Sequence, residues 1–347
     1  MKQKITLKWE TVMPAGTPPF SGMQDIAKKI NERTNDQVTV ECYGANTLVP
    51  ETEILEAVGS GKLDIGFTQS GYYGKGKSGI IPRSEAGQLP IWPSGQAGCA
   101  FVKAVLDKYI RNDMATVGVV PIIYQINCCD DFGHFFSPYY AHIWCKQTYS
   151  SIEDLVGARI FVQHEVTGAI LSELGMVPKS MAFNDTYAAL ANNEIDGVLM
   201  SNVTPIILNL PELINCCVKI DYPQCEDNFT IMNKKTYDSL SADIRNIIIE
   251  ELKNWETAPA NDRAPLTKWG WDVWNEREKA GSVKIIELPP SEKARCKQVW
   301  EQKSVDAWVK HQIAAGFKDA KSYMDDLLKI RDETLASGLP QYTGYIA

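Results

Sequence analysis

The fifty residues Ser151–Met200, SIEDLVGARIFVQHEVTGAILSELGMVPKSMAFNDTYAALANNEIDGVLM, decide the fold. Ser151-Ile-Glu-Asp154 has the form of a capping box for a short helical turn. Ala158 to Val162 is a strand, and Glu165 to Leu174 a helix stopped by Gly175. Val177 to Met181 is a second strand. Asn184 caps a helix over Asp185 to Asn192, which leads into the strand Gly197 to Met200. Strands and helices that alternate at this short spacing read as parallel α/β.

The amino-terminal part repeats the pattern. Ile5 to Thr11 alternates apolar and polar residues, as a half-buried strand does. After the turn Pro14-Ala-Gly-Thr-Pro-Pro19, residues Met23, Ile26, Ala27 and Ile30 fall at helical spacing. Gln37 to Tyr43 is a strand with Val38, Val40 and Cys42 on one face. Pro50-Glu-Thr-Glu53 opens a helix whose apolar stripe is Ile54, Leu55 and Val58, with Gly59 or Gly61 to stop it. Lys62 to Thr68 is the next strand. A second unit begins near Asn127, with a strand over Ala141 to Lys146. The last third is mostly helical and rich in tryptophan, and Pro259 and Pro265 are expected to interrupt its long helix.

The 347 residues, 44% of them hydrophobic, supply more than one core. Acidic residues exceed basic ones, 43 to 35, for a net charge of -8, and no basic cluster stands out; this excludes nucleic acid as a partner. No apolar run approaches the roughly 18 residues of a membrane span. The chain enters a strand-like stretch almost at once, so any secretion signal is expected to have been removed. The nine cysteines include the vicinal pairs Cys128-Cys129 and Cys216-Cys217 but no CxxC, and the four histidines form no i, i+4 pair. They read as small buried hydrophobes, with no metal and no cofactor. There is no GxSxG, no GxxxxGK[ST] and no HExxH, and Gly71-Tyr-Tyr-Gly-Lys-Gly76 lacks the GxGxxG order and reads as a flexible loop. Binding is therefore favoured over catalysis. A two-domain α/β enzyme and a sensory ligand-binding module stand as the alternatives.

The order of these elements resembles that of DctP-type solute-binding proteins of TRAP transporters. Asn46-Thr-Leu48, Glu53-Ile-Leu-Glu-Ala57 and Gly61-Lys-Leu-Asp-Ile-Gly66 are similar to their first lobe. Ser151-Ile-Glu-Asp-Leu-Val-Gly157 with Ala158-Arg-Ile-Phe-Val162, then Ser180-Met-Ala-Phe183 and Ile195-Asp-Gly197, resemble the second. Thr230-Ile-Met-Asn-Lys-Lys-Thr-Tyr237 and Trp308-Val309 with Gly316-Phe317 follow in the family's order. The resemblance implies an α/β, type II periplasmic-binding-protein fold: two α/β lobes around a hinge, a linking helix and a helical carboxyl-terminal tail. It divides the chain into lobe I (1–125 and 215–252), lobe II (126–214 and 253–300) and tail helices (301–347) that pack back on the lobes. It further implies a monomeric periplasmic protein that passes a small organic solute to TRAP membrane permease subunits.

The same resemblance suggests the site. The family's carboxylate-gripping arginine falls at Phe161, which implies a neutral, aromatic or cationic solute; the alternative is a carboxylate held by Arg159. Phe161, Phe183, Tyr72 and Met200 would form apolar walls, and Gln69, Gln163 and Asn202 would supply hydrogen bonds. Met13, Thr17, Glu51 and His142 complete the expected set.

Overall fold

The structure is a computed structural model that describes residues 4–69, 86, 89–91, 105–127, 140–223, 226–256 and 263–337. Its strands are β1 (Ile5–Glu10), β2 (Val38–Tyr43), β3 (Ile65–Thr68), β4 (Val119–Asn127), β5 (Tyr140–Cys145), β6 (Arg159–Phe161), β7 (Val177–Lys179), β8 (Gly197–Met200), β9 (Cys216–Pro223), β10 (Glu226–Asn233) and β11 (Lys284–Glu287). They form two sheets, ordered β2-β1-β3-β10-β4 and β11-β9-β5-β8-β6-β7. β1, β2 and β3 run parallel, as do β6, β7 and β8, while β10 lies antiparallel to β3 and β4.

The alternation in β1 buries Leu7 and Trp9, and the helix Pro18–Arg33 lays Met23, Ile26 and Ile30 into the same core. A positive φ of 84° at Gly61 ends the helix Ile54–Ser60, the left-handed conformation that glycine adopts without steric cost. In the second sheet a separate cluster forms around Trp144, Phe161, Val198, Met200 and Trp274.

The chain passes between the sheets from β4 to β5, from β9 to β10 and along the helices Ala242–Glu256 and Arg263–Lys279. Only residues 224 and 225 separate β9 from β10. The expected lobe boundary at residue 215 therefore moves. β9 pairs with β5 over Cys145↔Cys216 to Ile143↔Val218, so the chain returns to the first sheet only at β10. Ile248 and Leu252 pack on the first core and Trp274 on the second, so the two helices carry the link from one lobe to the other. Pro259 lies outside the described residues. Pro265 does not break its helix, because it occupies the first turn, where no intrahelical N–H bond is lost. β4, β9 and β11 were not expected from the sequence.

The helix Pro290–Ala314 covers the second sheet, with the Trp300 ring edge-on to Tyr222 at 5.2 Å and Glu292 accepting from the Ile152 N–H at 2.8 Å. The helix Ala320–Ser337 returns to the residues before β4, where Asp326 accepts from Lys108 and Tyr109.

Candidate functional site

In parallel α/β units the loops at the strands' carboxyl ends line the ligand crevice. Gln69 follows β3 in the first lobe and Gln163 follows β6 in the second, and the two side chains meet. Gln163 Nε2 donates to Gln69 Oε1 at 2.7 Å, and Gln69 Nε2 donates to Asn228 Oδ1 on β10 at 2.7 Å. A second bridge lies beside them. The Phe183 N–H, from the second lobe, donates to Glu51 Oε1 at 3.2 Å, while Asn46 Nδ2 donates to Glu51 Oε2 at 3.3 Å. Glu51 is only 6% exposed, and burial raises its carboxyl above the ordinary value, the two hydrogen bonds opposing the shift and Asp185 adding to it.

The remaining expected residues divide. Met13 is half-buried against the first core, and its carbonyl accepts from Ala45. The Thr17 hydroxyl donates to Pro14 O at 2.7 Å at the start of the helix Pro18–Arg33. Met200 lies opposite His142 in the register of β8 and β5. His142 is buried, its ring centroid 5.4 Å from that of Trp271 and its Nδ1 3.7 Å from Asp221 Oδ1, too far for a hydrogen bond. Burial, seconded by Lys219, pushes the imidazole down to about 3, so it is neutral at physiological pH. Tyr72 and the Gly71–Gly76 loop lie outside the described residues.

Three expectations are corrected. Asn202 does not offer its amide to the cleft: Nδ2 donates to Thr267 O at 2.7 Å, an approach allowed by Gly270, where a Cβ would come within 2.8 Å of that nitrogen. Asn184 makes no cap for the helix Thr186–Ala191; Asp185 occupies the cap position without a side-chain bond. Phe161, the last residue of β6, is 1% exposed and belongs to the buried cluster of Trp144, Leu190, Val198 and Met200, so its ring is core and not cleft wall. Arg159, on the same face, is engaged elsewhere. Its Nε and Nη2 bind both oxygens of Asp196 at 2.9 and 2.7 Å, and its backbone N–H donates to Asp196 Oδ2 at 2.8 Å.

Two polar residues of this region were missed. Alternation along β1 assigns Glu10 to the solvent face with Lys8, yet it is fully buried, its carboxylate accepting from the Leu48 and Val49 N–H groups at 2.6 and 3.1 Å. Asn228 lies on a strand whose position beside β3 only the sheet order gives.

The model of bacterial extracellular solute-binding protein family 7, DctP, matches residues 10–86 and 141–310, spanning both sheets. The chain belongs to this family. It is a family of transport proteins that bind substrate, not of enzymes. The family 7 protein is 24% identical over 196 residues to a monocarboxylate 2-oxoacid-binding periplasmic protein of Nostoc sp., a match covering 56% of the chain and 49% of that relative, so about half of the relative's length is spanned. It is 22% identical to the C4-dicarboxylate-binding periplasmic protein DctP of Rhodobacter capsulatus, over 87% of the chain and 85% of the relative. Its fold matches that of a marine-metagenome TRAP solute-binding protein specific for aromatic acid ligands, with a TM-score of 0.73 at 21% identity, over 95% of the chain and 99% of the solved structure.

Proposed function

We propose that this family 7 protein works as a periplasmic monomer that closes its two lobes on a small organic solute and hands it to a TRAP-type membrane permease. The solute is not a simple carboxylate gripped by an arginine fork. The observation that carries this is the two sets of polar contacts joining the lobes, Gln69 with Gln163 and Asn228, and Glu51 with the Phe183 N–H; none of these described residues is basic. A buried carboxylate needs a charged, hydrogen-bonding partner to offset its lost hydration. Arg159 is bound at both nitrogens facing Asp196, and the position suggested for the family's arginine holds the apolar Phe161. Among the described residues these contacts offer no basic partner to the carboxylates in the names of the relatives, and a neutral, aromatic or cationic molecule suits them better.

The test is a thermal-shift screen against a metabolite library, followed by small-angle scattering with the compound that stabilises most. A ligand at 100 times its Kd stabilises by about 2.7 kcal/mol, well within detection. The expected hit lacks a carboxylate and makes the protein more compact. A carboxylate hit, or an unchanged radius of gyration at saturation, refutes the reading.

A further inference from the structure

Glu51 is a buried carboxylate at the junction of the lobes with no described cation beside it. Its two hydrogen bonds come from neutral donors, the Asn46 amide at 3.3 Å and the Phe183 backbone at 3.2 Å. Among the described residues it forms no ion pair, and the charged group among them that acts on it is Asp185, which has the same sign and approaches from the opposite lobe. Glu10 shows the contrast. It too is buried, but it receives two backbone N–H bonds in its own lobe and lies in the field of Lys62. The partners of Glu10 lie in its own lobe and do not depend on closure, whereas the Phe183 N–H on Glu51 comes from the opposite lobe, so closure as proposed above would bury the Glu51 carboxylate and opening would return it to water.

Closure therefore removes hydration from one carboxylate while bringing a second negative charge towards it. Something positive has to enter with the solute, or a proton has to be taken up. A metal is not indicated, since the described residues hold no group of three His, Cys, Asp or Glu side chains able to bind one. A carboxylate offers about four lone-pair directions, and two on Glu51 are occupied, which leaves room for a donor on each oxygen. We infer that Glu51 is the counter-ion of a cationic nitrogen, an ammonium or guanidinium group, on the solute. This rests on the non-carboxylate reading above and narrows it. The hydrogen bonds of such a group to a carboxylate are charge-assisted and strong where water is excluded. Its positive charge also offsets the approach of Asp185, so the solute itself makes closure favourable.

The test uses the whole protein and its Glu51→Gln variant, which removes the charge, keeps one oxygen to accept from the Phe183 N–H and turns the other into an amide donor, to which Asn46 can present its Oδ1 by turning its own amide over. Ligand-free samples of both are compared by small-angle scattering at neutral pH. Both are then screened by thermal shift against three pools of matched carbon skeletons: ammonium and guanidinium compounds without a carboxylate, neutral alcohols and amides, and carboxylates. The ligand-free variant is expected to be more compact than the wild type, because closure no longer buries a bare charge. A compound of the cationic pool should bind the wild type and lose at least tenfold in Kd in Glu51→Gln, with part of the affinity kept in Glu51→Asp. Equal ligand-free radii overturn the inference whatever the screens return. A neutral compound that binds both proteins equally overturns it and leaves the non-carboxylate reading standing, while a carboxylate ligand overturns both.

Discussion

Replacing Phe161 by alanine should destabilise the second lobe by about 3–5 kcal/mol, the usual range for a fully buried phenylalanine. The ring is 1% exposed on the last residue of a three-residue strand, and it packs with Trp144, Leu190, Val198 and Met200. β6 lies between β8 and β7 in the sheet, so its neighbours are held by hydrogen bonds on both sides and collapse poorly into a void. Trp144 and Trp274, with ring centroids 4.3 Å apart, belong to the same cluster and report its unfolding by fluorescence. In an equilibrium urea titration the midpoint followed by these rings should fall by about 1–2 M if the slope is about 2–3 kcal/mol per molar. Phe161→Leu should recover much of the loss, because it refills most of the volume. A loss below about 1 kcal/mol in Phe161→Ala would refute the packing role and return the ring to the cleft wall, where truncation weakens ligand binding more than folding.

Two further outcomes are expected. Gly270→Ala would place a methyl group within 2.8 Å of Asn202 Nδ2 and displace its hydrogen bond to Thr267, costing about 1–3 kcal/mol by overpacking, measurable as a lowered urea midpoint. His142 and His164 are both held neutral by burial, with folded values of about 3, below the ordinary 6.5. The unfolded chain therefore binds these protons first. Stability from both is complete above about 6.5 and is lost as pH falls towards 3, so melting temperature should drop across that window and drop less steeply in His164→Leu. An acid limb of the same slope in that variant would show that His164 is not held neutral.

Local chemistry wrote most of the elements into the sequence. The alternation of Leu7 and Trp9, the stripe of Met23, Ile26 and Ile30, and the stop at Gly61 each depend on neighbours within a turn or two, so their positions follow from the chain alone. The strand–helix–strand order of 151–200 likewise settled the α/β class, while the family rested on the resemblance of ordered motifs along nearly the whole chain. Pairing across long separations was not readable there. The residues that form β9 were assigned to the return to the first lobe, but they pair with β5, some seventy residues earlier, and with β11, and only the sheet register reveals it. The same limit applied to the site. Gln69 and Gln163 were recognisable as polar residues near strand ends and Glu51 as one at the start of a helix, yet what each one bonds to depends on how one lobe meets the other. Arg159 reads in the sequence as a free cation beside a cleft; the fold brings Asp196, at the turn before β8, against it and neutralises it. Glu10 reads as a solvent residue because alternation describes a single strand, whereas the loop that buries it comes from residues 48 and 49. Sequence periodicity determines which face a side chain takes; what covers that face is decided by segments distant in the chain, and with it the charge balance on which a binding site depends.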